Sequence, residues 1–270
     1  MTDKSNRPLA LDQTNEVLFE VKDGVAWLTF NRPEARNAMT FGMYTRLAEC
    51  CAQVDKDESI RVLILRGAGD KAFVAGTDIA QFRAFKTPQQ AIDYEAKMDQ
   101  VFDALEDVRV PTIAAIQGAC TGGGAGIAAA CDLRIGAPSA KFGFPIARTL
   151  GNTLSTRNYA RLAGLIGLAR TKDIIFLARL MDAAEMKSIG LLSEITSEEG
   201  LYARAAELAQ TLIAHAPITL QTAKQTLNQV LRHWTPAGSS DHVVRAYMSE
   251  DFQEGVEAFL AKRKPRWKGR

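Results

Sequence analysis

The chain is poor in the residues that build metal and redox sites, with three histidines and four cysteines among 270 residues. His215, His233 and His242 all lie in the C-terminal fifth, and Cys50, Cys51, Cys120 and Cys131 show no C-x-x-C spacing, so no zinc site is expected. The cysteines read as free thiols of a reducing compartment, which points to the cytoplasm. Net charge is also nearly missing, since 33 basic and 31 acidic side chains leave a formal +2. That balance excludes a surface that neutralises a run of nucleic-acid phosphates. Met1 to Pro8 shows no apolar stretch of the signal-peptide kind. The longest uncharged run, residues 111–131, could span a bilayer by length, but it carries Gln117, Thr121 and five glycines where lipid-facing side chains would be needed. It reads as buried in a soluble fold, with no membrane partner.

What is present is ordinary globular material, 47% hydrophobic and 24% charged, which fits one large domain or one domain with an appendage. Residues 16–20 and 25–30 alternate around Lys22-Asp23-Gly24, the signal of a tight β-hairpin. From Thr40 apolar residues recur at helical spacing, and 60–65 and 111–117 are short buried strands. A helical segment is expected from about 78 to 108 with a fresh start at Thr87-Pro88, then a glycine-opened helix to Ala130 and a strand at 133–137. This alternation predicts an α/β fold with a largely parallel sheet over residues 1–195, the first 15 flexible. Helices are expected at 155–168, 172–177, from a capping box at Asp182-Ala-Ala-Glu185, and at 197–214, 218–234 and 250–263. Residues 196–270 thus form a helical C-terminal region that packs on the sheet or on another subunit.

Two glycine-bearing loops could carry chemistry. Gly122-Gly-Gly-Ala-Gly126 lies between a strand and a helix, where backbone N–H groups can hold negative charge. It also matches a dinucleotide fingerprint, Gly124-x-Gly126-x-x-Ala129, but no Asp or Glu occurs between Leu133 and Lys172 to bind a ribose. A dinucleotide oxidoreductase would rest on that match alone. The second loop, residues 71–78, sits in the same strand-to-helix context. Two N–H groups converging on one oxygen would stabilise a thioester oxyanion or enolate, while two unrelated turns remain the plain alternative.

The segments Asn31-Arg-Pro-Glu-Ala-Arg-Asn-Ala-Met39, Phe73-Val-Ala-Gly-Thr-Asp-Ile79, Ile116-Gln-Gly-Ala-Cys-Thr-Gly-Gly-Gly124, Cys131-Asp132, Ala140-Lys-Phe-Gly143 and Phe259-Leu-Ala-Lys-Arg-Lys264 occur in a specific order. With them the sequence resembles the enoyl-CoA hydratase/isomerase, or crotonase, superfamily from about Val17 to Lys264. The resemblance implies a crotonase-like spiral of ββα units with a helical C-terminal trimerisation region. It also implies an acyl-CoA thioester substrate, homotrimers or dimers of trimers, and no separate cofactor, CoA being part of the substrate. Position by position, it places the oxyanion-hole donors on the backbone of Thr77 and Gly123. Arg36, Ala38, Ala75, Asp78 and Ile79 fall in stretches that embrace CoA, and Lys262 in the basic tail that approaches its phosphates. A solvated basic tail is the alternative for Lys262 and Arg263.

The family's chemistry is not matched. Where hydratases of this family hold two glutamates that activate water, the chain has Gly126 and Ile146. The acid of the isomerases finds no counterpart between 147 and 172, and the nucleophilic Asp of the dehalogenase-like relatives is Thr153. Seven basic residues, Arg134, Lys141, Arg148, Arg157, Arg161, Arg170 and Lys172, fill this acid-free stretch. Arg148, two residues past an emptied position, is the candidate for holding a substrate carboxylate or a bicarbonate, against a structural salt bridge. Asn152, Thr153, Ser155 and Tyr159 are further donors, and the acids Asp93, Glu95 and Asp99 are expected to face solvent. Cys120 and Cys131 read as buried hydrophobes and Asp132 as serving a turn. The sequence therefore points to an acyl-CoA enzyme that stabilises a thioester enolate. The reaction is decarboxylation, C–C cleavage or hydration with an unusual base, and the alternative is a catalytically silent CoA-ester-binding subunit.

Overall fold

The structure, a computed structural model, describes residues 15–235 and 240–270. The expectation for the first 15 residues therefore falls almost wholly outside the described residues. Strands β1 (Val17–Lys22) and β2 (Val25–Phe30) pair antiparallel as the alternation predicts. Their turn places Asp23 and Gly24 at positive φ, the geometry that matches strand twist. Thr40 then caps α1 (Phe41–Lys56), its hydroxyl accepting from the Met43 N–H at 3.2 Å. The buried face of α1 carries Met43, Tyr44, Leu47, Cys51 and Val54, the residues whose spacing announces the helix.

From here the chain repeats one plan. A long strand joins one sheet, the next short strand joins a second, and a helix returns. Strand β3 (Val62–Gly67) leads to β4 (Ala72–Val74), a 3-10 turn over Ile79–Ala84 and α2 (Pro88–Asp107). Strand β5 (Thr112–Ile116) leads to β6 (Ala119–Thr121) and α3 (Gly123–Ala130). Strand β7 (Leu133–Gly136) leads to β8 (Lys141–Gly143), the short α4 (Ile146–Thr149) and α5 (Thr156–Phe176). Strand β9 (Met181–Asp182), α6 (Ala183–Ser188) and β10 (Glu194–Ile195) close the spiral. The large sheet runs β1-β2-β3-β5-β7-β10 and the small one β4-β6-β8-β9. Pairing is parallel except at β1/β2 and β8/β9.

The second sheet is the main departure from the expected single one. Its strands have two or three residues, too few to show a period of two. The helical segment expected over 78–108 restarts at Thr87-Pro88 as expected, where Thr87 caps α2, but its first part is a 3-10 turn. Conversely, the helices expected at 155–168 and 172–177 are one element bent at Gly167, at φ 78°. Asp182 caps α6, but Glu185 does not complete the box, since both its oxygens accept from Arg179.

The helices α7 (Leu201–Ile213), α8 (Pro217–Trp234), α9 (Asp241–Tyr247) and α10 (Glu250–Leu260) make up the C-terminal region. Leu201, Ala205 and Ala209 of α7 bury one face of the large sheet against Val62, Ile64, Ile113 and Ile135. The other face packs against α1, α2 and α3 in the larger core. Helices α9 and α10 turn back over α2, where Tyr247 and Phe252 join Phe82 in an aromatic cluster. No helix among the described residues is long and apolar enough to cross a membrane.

Candidate active site

The two glycine-bearing loops leave the ends of neighbouring strands. Because β4 and β6 pair in parallel, residues 75–78 and 122–124 emerge side by side. A Cβ on Gly122, at φ 52°, would lie 3.5 Å from the Gly76 Cα, and one on Gly123 would lie 3.1 Å from the Thr77 hydroxyl oxygen. A side chain at Gly123 would also collide with the Tyr44 hydroxyl, and one at Gly124 with the Val74 carbonyl, so backbone approach at this point requires glycine. Among the described residues, neither the Thr77 nor the Gly123 N–H donates a hydrogen bond. Met39 holds the first loop on both sides of Thr77, donating to the Gly76 carbonyl at 2.8 Å and accepting from the Asp78 N–H at 2.8 Å. Gly123 opens α3, where N–H groups have no intrahelical acceptor. The result is two anchored, unused donors at one wall of a cavity.

That cavity measures about 200 Å³. Tyr44 of α1, Tyr94, Met98 and Phe102 of α2, Ile146 of α4, Tyr247 of α9 and Phe259 of α10 line it together with the two loops. Thr77 is held from the side by hydroxyls, its Oγ1 lying 2.8 Å from the Tyr44 oxygen and 3.4 Å from that of Tyr94. Burial pushes both phenols up, so they stay neutral donors at any ordinary pH.

Glu95 is the one carboxylate among the described residues that line the cavity, and it overturns the expectation of a solvent-facing acid. It is 6% exposed. Its Oε1 accepts from the Tyr247 hydroxyl at 2.6 Å and its Oε2 from the Ser155 N–H at 2.9 Å. Burial pushes this carboxyl up to about 7, with the nearby Asp99 adding to the rise and the two donors opposing it. Asp99 is half-buried on Ser155 and Asn158, and only Asp93 of the three acids is exposed. The signal for Glu95 was in the sequence: Ala91, Glu95, Met98, Phe102 and Leu105 fall on one helix face at alternating steps of four and three. An acid inside an apolar stripe is buried with it.

A family model described as enoyl-CoA hydratase/isomerase matches residues 20–270. The chain belongs to the enoyl-CoA hydratase/isomerase family. It is 32% identical over 255 residues to a short-chain-enoyl-CoA hydratase of Clostridium acetobutylicum, covering 93% of this chain and 97% of that protein. An enoyl-CoA hydratase/carnithine racemase structure from Magnetospirillum magneticum superimposes with a TM-score of 0.78 at 32% identity, over 95% of this chain and 97% of that one. A methylmalonyl-CoA decarboxylase solved with 2-nitronate-propionyl-CoA superimposes with a TM-score of 0.86 at 26% identity, over 94% of this chain and 99% of that one.

Both positions that the family resemblance assigns to hydratase glutamates, Gly126 and Ile146, line the cavity of this family member. A Cβ on Gly126 would lie 2.8 Å from the Phe102 ring, so aromatic carbon occupies the space a carboxylate would need. Three of the seven basic residues are structural, and Lys141, Arg148, Arg170 and Lys172 are exposed. Arg134 is buried and donates to the carbonyls of Ala128, Cys131, Asp132 and Leu191. Arg157 and Arg161 pair with Asp103, and Arg161 also pairs with Glu106. Arg148 is exposed on the outer face of α4 and does not line the cavity, which corrects its assignment as an anion holder in the pocket. The short α4 turns Ile146 inward, and Arg148 two residues on therefore points away.

Of the remaining polar residues, Asn152 lines the cavity and donates to the Tyr247 oxygen at 3.1 Å, while its own carbonyl oxygen is buried without a partner. Thr153 and Tyr159 bond each other at 3.0 Å. Cys120 and Cys131 are buried, and burial pushes the Cys131 thiol up to about 12. Asp132 does more than serve a turn, since it accepts from Thr112 at 2.7 Å and from Lys224 at 2.8 Å, tying β5 to α8.

The segment at Arg36 and the loop at Thr77 form one rim. The Ala75 N–H donates to the Arg36 carbonyl at 3.0 Å, and Arg32 bridges the Ala38 carbonyl at 2.7 Å and Asp78 at 3.4 Å. Asn37, within the segment the resemblance assigns to CoA, is instead buried and stitches this turn from within by donating to the carbonyls of Ala68 and Ala72, both at 2.9 Å. Ala75 and Ile79 line the cavity, and Arg36 is exposed beside them. Lys262 is exposed one turn beyond Phe259.

Proposed function

We propose that the chain binds an acyl-CoA thioester in this cavity and stabilises its enolate between the N–H groups of Thr77 and Gly123. The observation that carries the reading is the pair of unused donors on adjacent loops at one wall of the cavity. Charge that develops on the thioester oxygen would be met by donors already oriented, at no cost of reorganisation. The solved relative that holds a propionyl-CoA derivative supports acyl-CoA as the ligand class. Arg36, Ala38, Ala75, Asp78 and Ile79 would form the rim that takes the CoA chain, with Lys262 near its phosphates. The exposed Leu168, Phe176, Ile218, Leu227 and Trp234 on α5 and α8 support burial in a homotrimer or a dimer of trimers.

The reaction type supported best is lyase chemistry, decarboxylation or C–C cleavage. In a decarboxylation the carboxylate leaves as carbon dioxide, its bonding electrons pass to the thioester oxygen, and one proton then reaches the α-carbon. Such a step needs one proton carrier. Hydration as the family resemblance describes it uses two carboxylates, and Gly126 and Ile146 supply neither. The filling of the first position by Phe102 favours one competing reading, a silent CoA-ester-binding subunit. Incubation in deuterated water with short, branched, aromatic and carboxylated CoA esters separates them by mass spectrometry. The proposal expects α-deuterium incorporation or loss of carbon dioxide; tight binding with neither would establish the silent subunit.

A further inference from the structure

We infer that Glu95 is the group that exchanges a proton with the enolate, in place of the family positions occupied by Gly126 and Ile146, and that Tyr247 and Ser155 position it. This rests on the enolate reading above. Glu95 stands out by its place in the cavity wall and by burial without a counter-charge. Among the described residues lining the cavity there is no lysine, arginine or histidine, and no second carboxylate. The other deeply buried acid on the same helix, Glu106, is neutralised by Arg161 at 2.9 Å, whereas Glu95 has only neutral donors. Placing a carboxylate in such surroundings without a cation is costly, and groups held in that state concentrate at sites of proton transfer. Beside it, the unpartnered carbonyl oxygen of Asn152 marks the same wall as one where a polar part of the ligand can be received.

The step balances. The neutral carboxyl gives its proton to the α-carbon, the enolate electron pair forms the new C–H bond, the thioester carbonyl is restored, and solvent reprotonates the carboxylate. In reverse, the carboxylate takes the α-proton, which is the exchange the experiment reads. The groups facing Glu95 are Tyr247 from α9, Ser155 before α5, Asp99 and Tyr94 on α2, and Tyr44 from α1. Burial lifts the carboxyl to about 7, so both protonation states are accessible near neutrality.

The test is α-deuterium exchange of propionyl-, butyryl- and phenylacetyl-CoA across pH 5.5–8.5 (a range of about 1.5 units on either side of the expected midpoint) with E95Q and Y247F, alongside acyl-CoA affinity. E95Q is expected to lose exchange by about 100-fold or more while binding within about threefold of wild type. Y247F removes a hydrogen bond that favours the carboxylate, so its exchange midpoint is expected to move to higher pH. Exchange by E95Q at the wild-type rate, or equal loss of exchange and binding, would overturn the inference while leaving the enolate reading intact. If E95Q does not fold, an unshifted Y247F profile overturns it and a shifted one supports it. A wild-type protein that exchanges none of the esters removes the enolate reading, and this inference with it.

Discussion

Two acids on helix α2, eleven residues apart, have been given opposite surroundings. Glu95 and Glu106 are each 6% exposed. Glu106 receives both guanidinium arms of Arg161 at 2.9 and 3.2 Å, with Arg232 at 3.5 Å beyond. Glu95 meets a phenol and a backbone N–H. One site is an ion pair that ties α2 to α5. The other keeps an acid without a counter-ion at the edge of a cavity, which makes it sensitive to pH and available to a ligand. Burial alone therefore does not separate a structural carboxylate from a functional one; the partner does.

The sharpest way to break this contrast is Arg161→Ala, which leaves the buried Glu106 with only the more distant Arg232, at 3.5 Å, as a cation. Loss of about 3–5 kcal/mol is expected in urea unfolding, with acyl-CoA binding by the surviving folded protein unchanged. Equal stability of the variant and the wild type would show that the ion pair matters less than its burial suggests.

Smaller in effect, and of opposite sign, is E95Q. The folded protein holds the Glu95 proton up to about pH 7, against an ordinary value of 4.5, so the folded state binds more protons than the unfolded one between those limits. Wild-type stability should then fall relative to E95Q as pH rises from about 4.5, and the gap should be complete above about 7. At one pKa unit per 1.36 kcal/mol the gap should shift by about 3 kcal/mol towards E95Q across that window. Thermal unfolding of both proteins at about pH 4 and about pH 8, roughly half a unit below and one unit above that window, reads it directly. A constant gap would mean that Glu95 is ionised at both.

Arg148→Ala should do least. The side chain is exposed outside the cavity, so stability should stay within about 0.5 kcal/mol and acyl-CoA turnover within about twofold. A large loss of turnover would return the anion-holding role to it.

Much of this was legible in the chain itself. The hairpin, the α1 stripe and the strands around 60–65 and 111–117 follow from periods of two and 3.6 residues, and the glycine loops from backbone positions that exclude a Cβ. The small sheet was not legible, because three residues carry no period. Neither was the fate of the basic stretch, in which Arg157 and Arg161 find their acids on α2, more than fifty residues earlier. Glu95 lay between the two: the stripe it belongs to is local, but the cavity beside it is made by α9 and the β4 and β6 loops.

Composition and spacing by themselves determined that this is an α/β chain with two glycine-bearing strand-to-helix loops and no acid between Leu133 and Lys172, since those properties depend on neighbours in sequence. Which acid faces the cavity, and which arginine does not, was decided only by tertiary structure. Charge has no address in sequence. A carboxylate is compensated or left poised by groups that folding brings from distant elements, and only their arrangement separates Glu95 from Glu106.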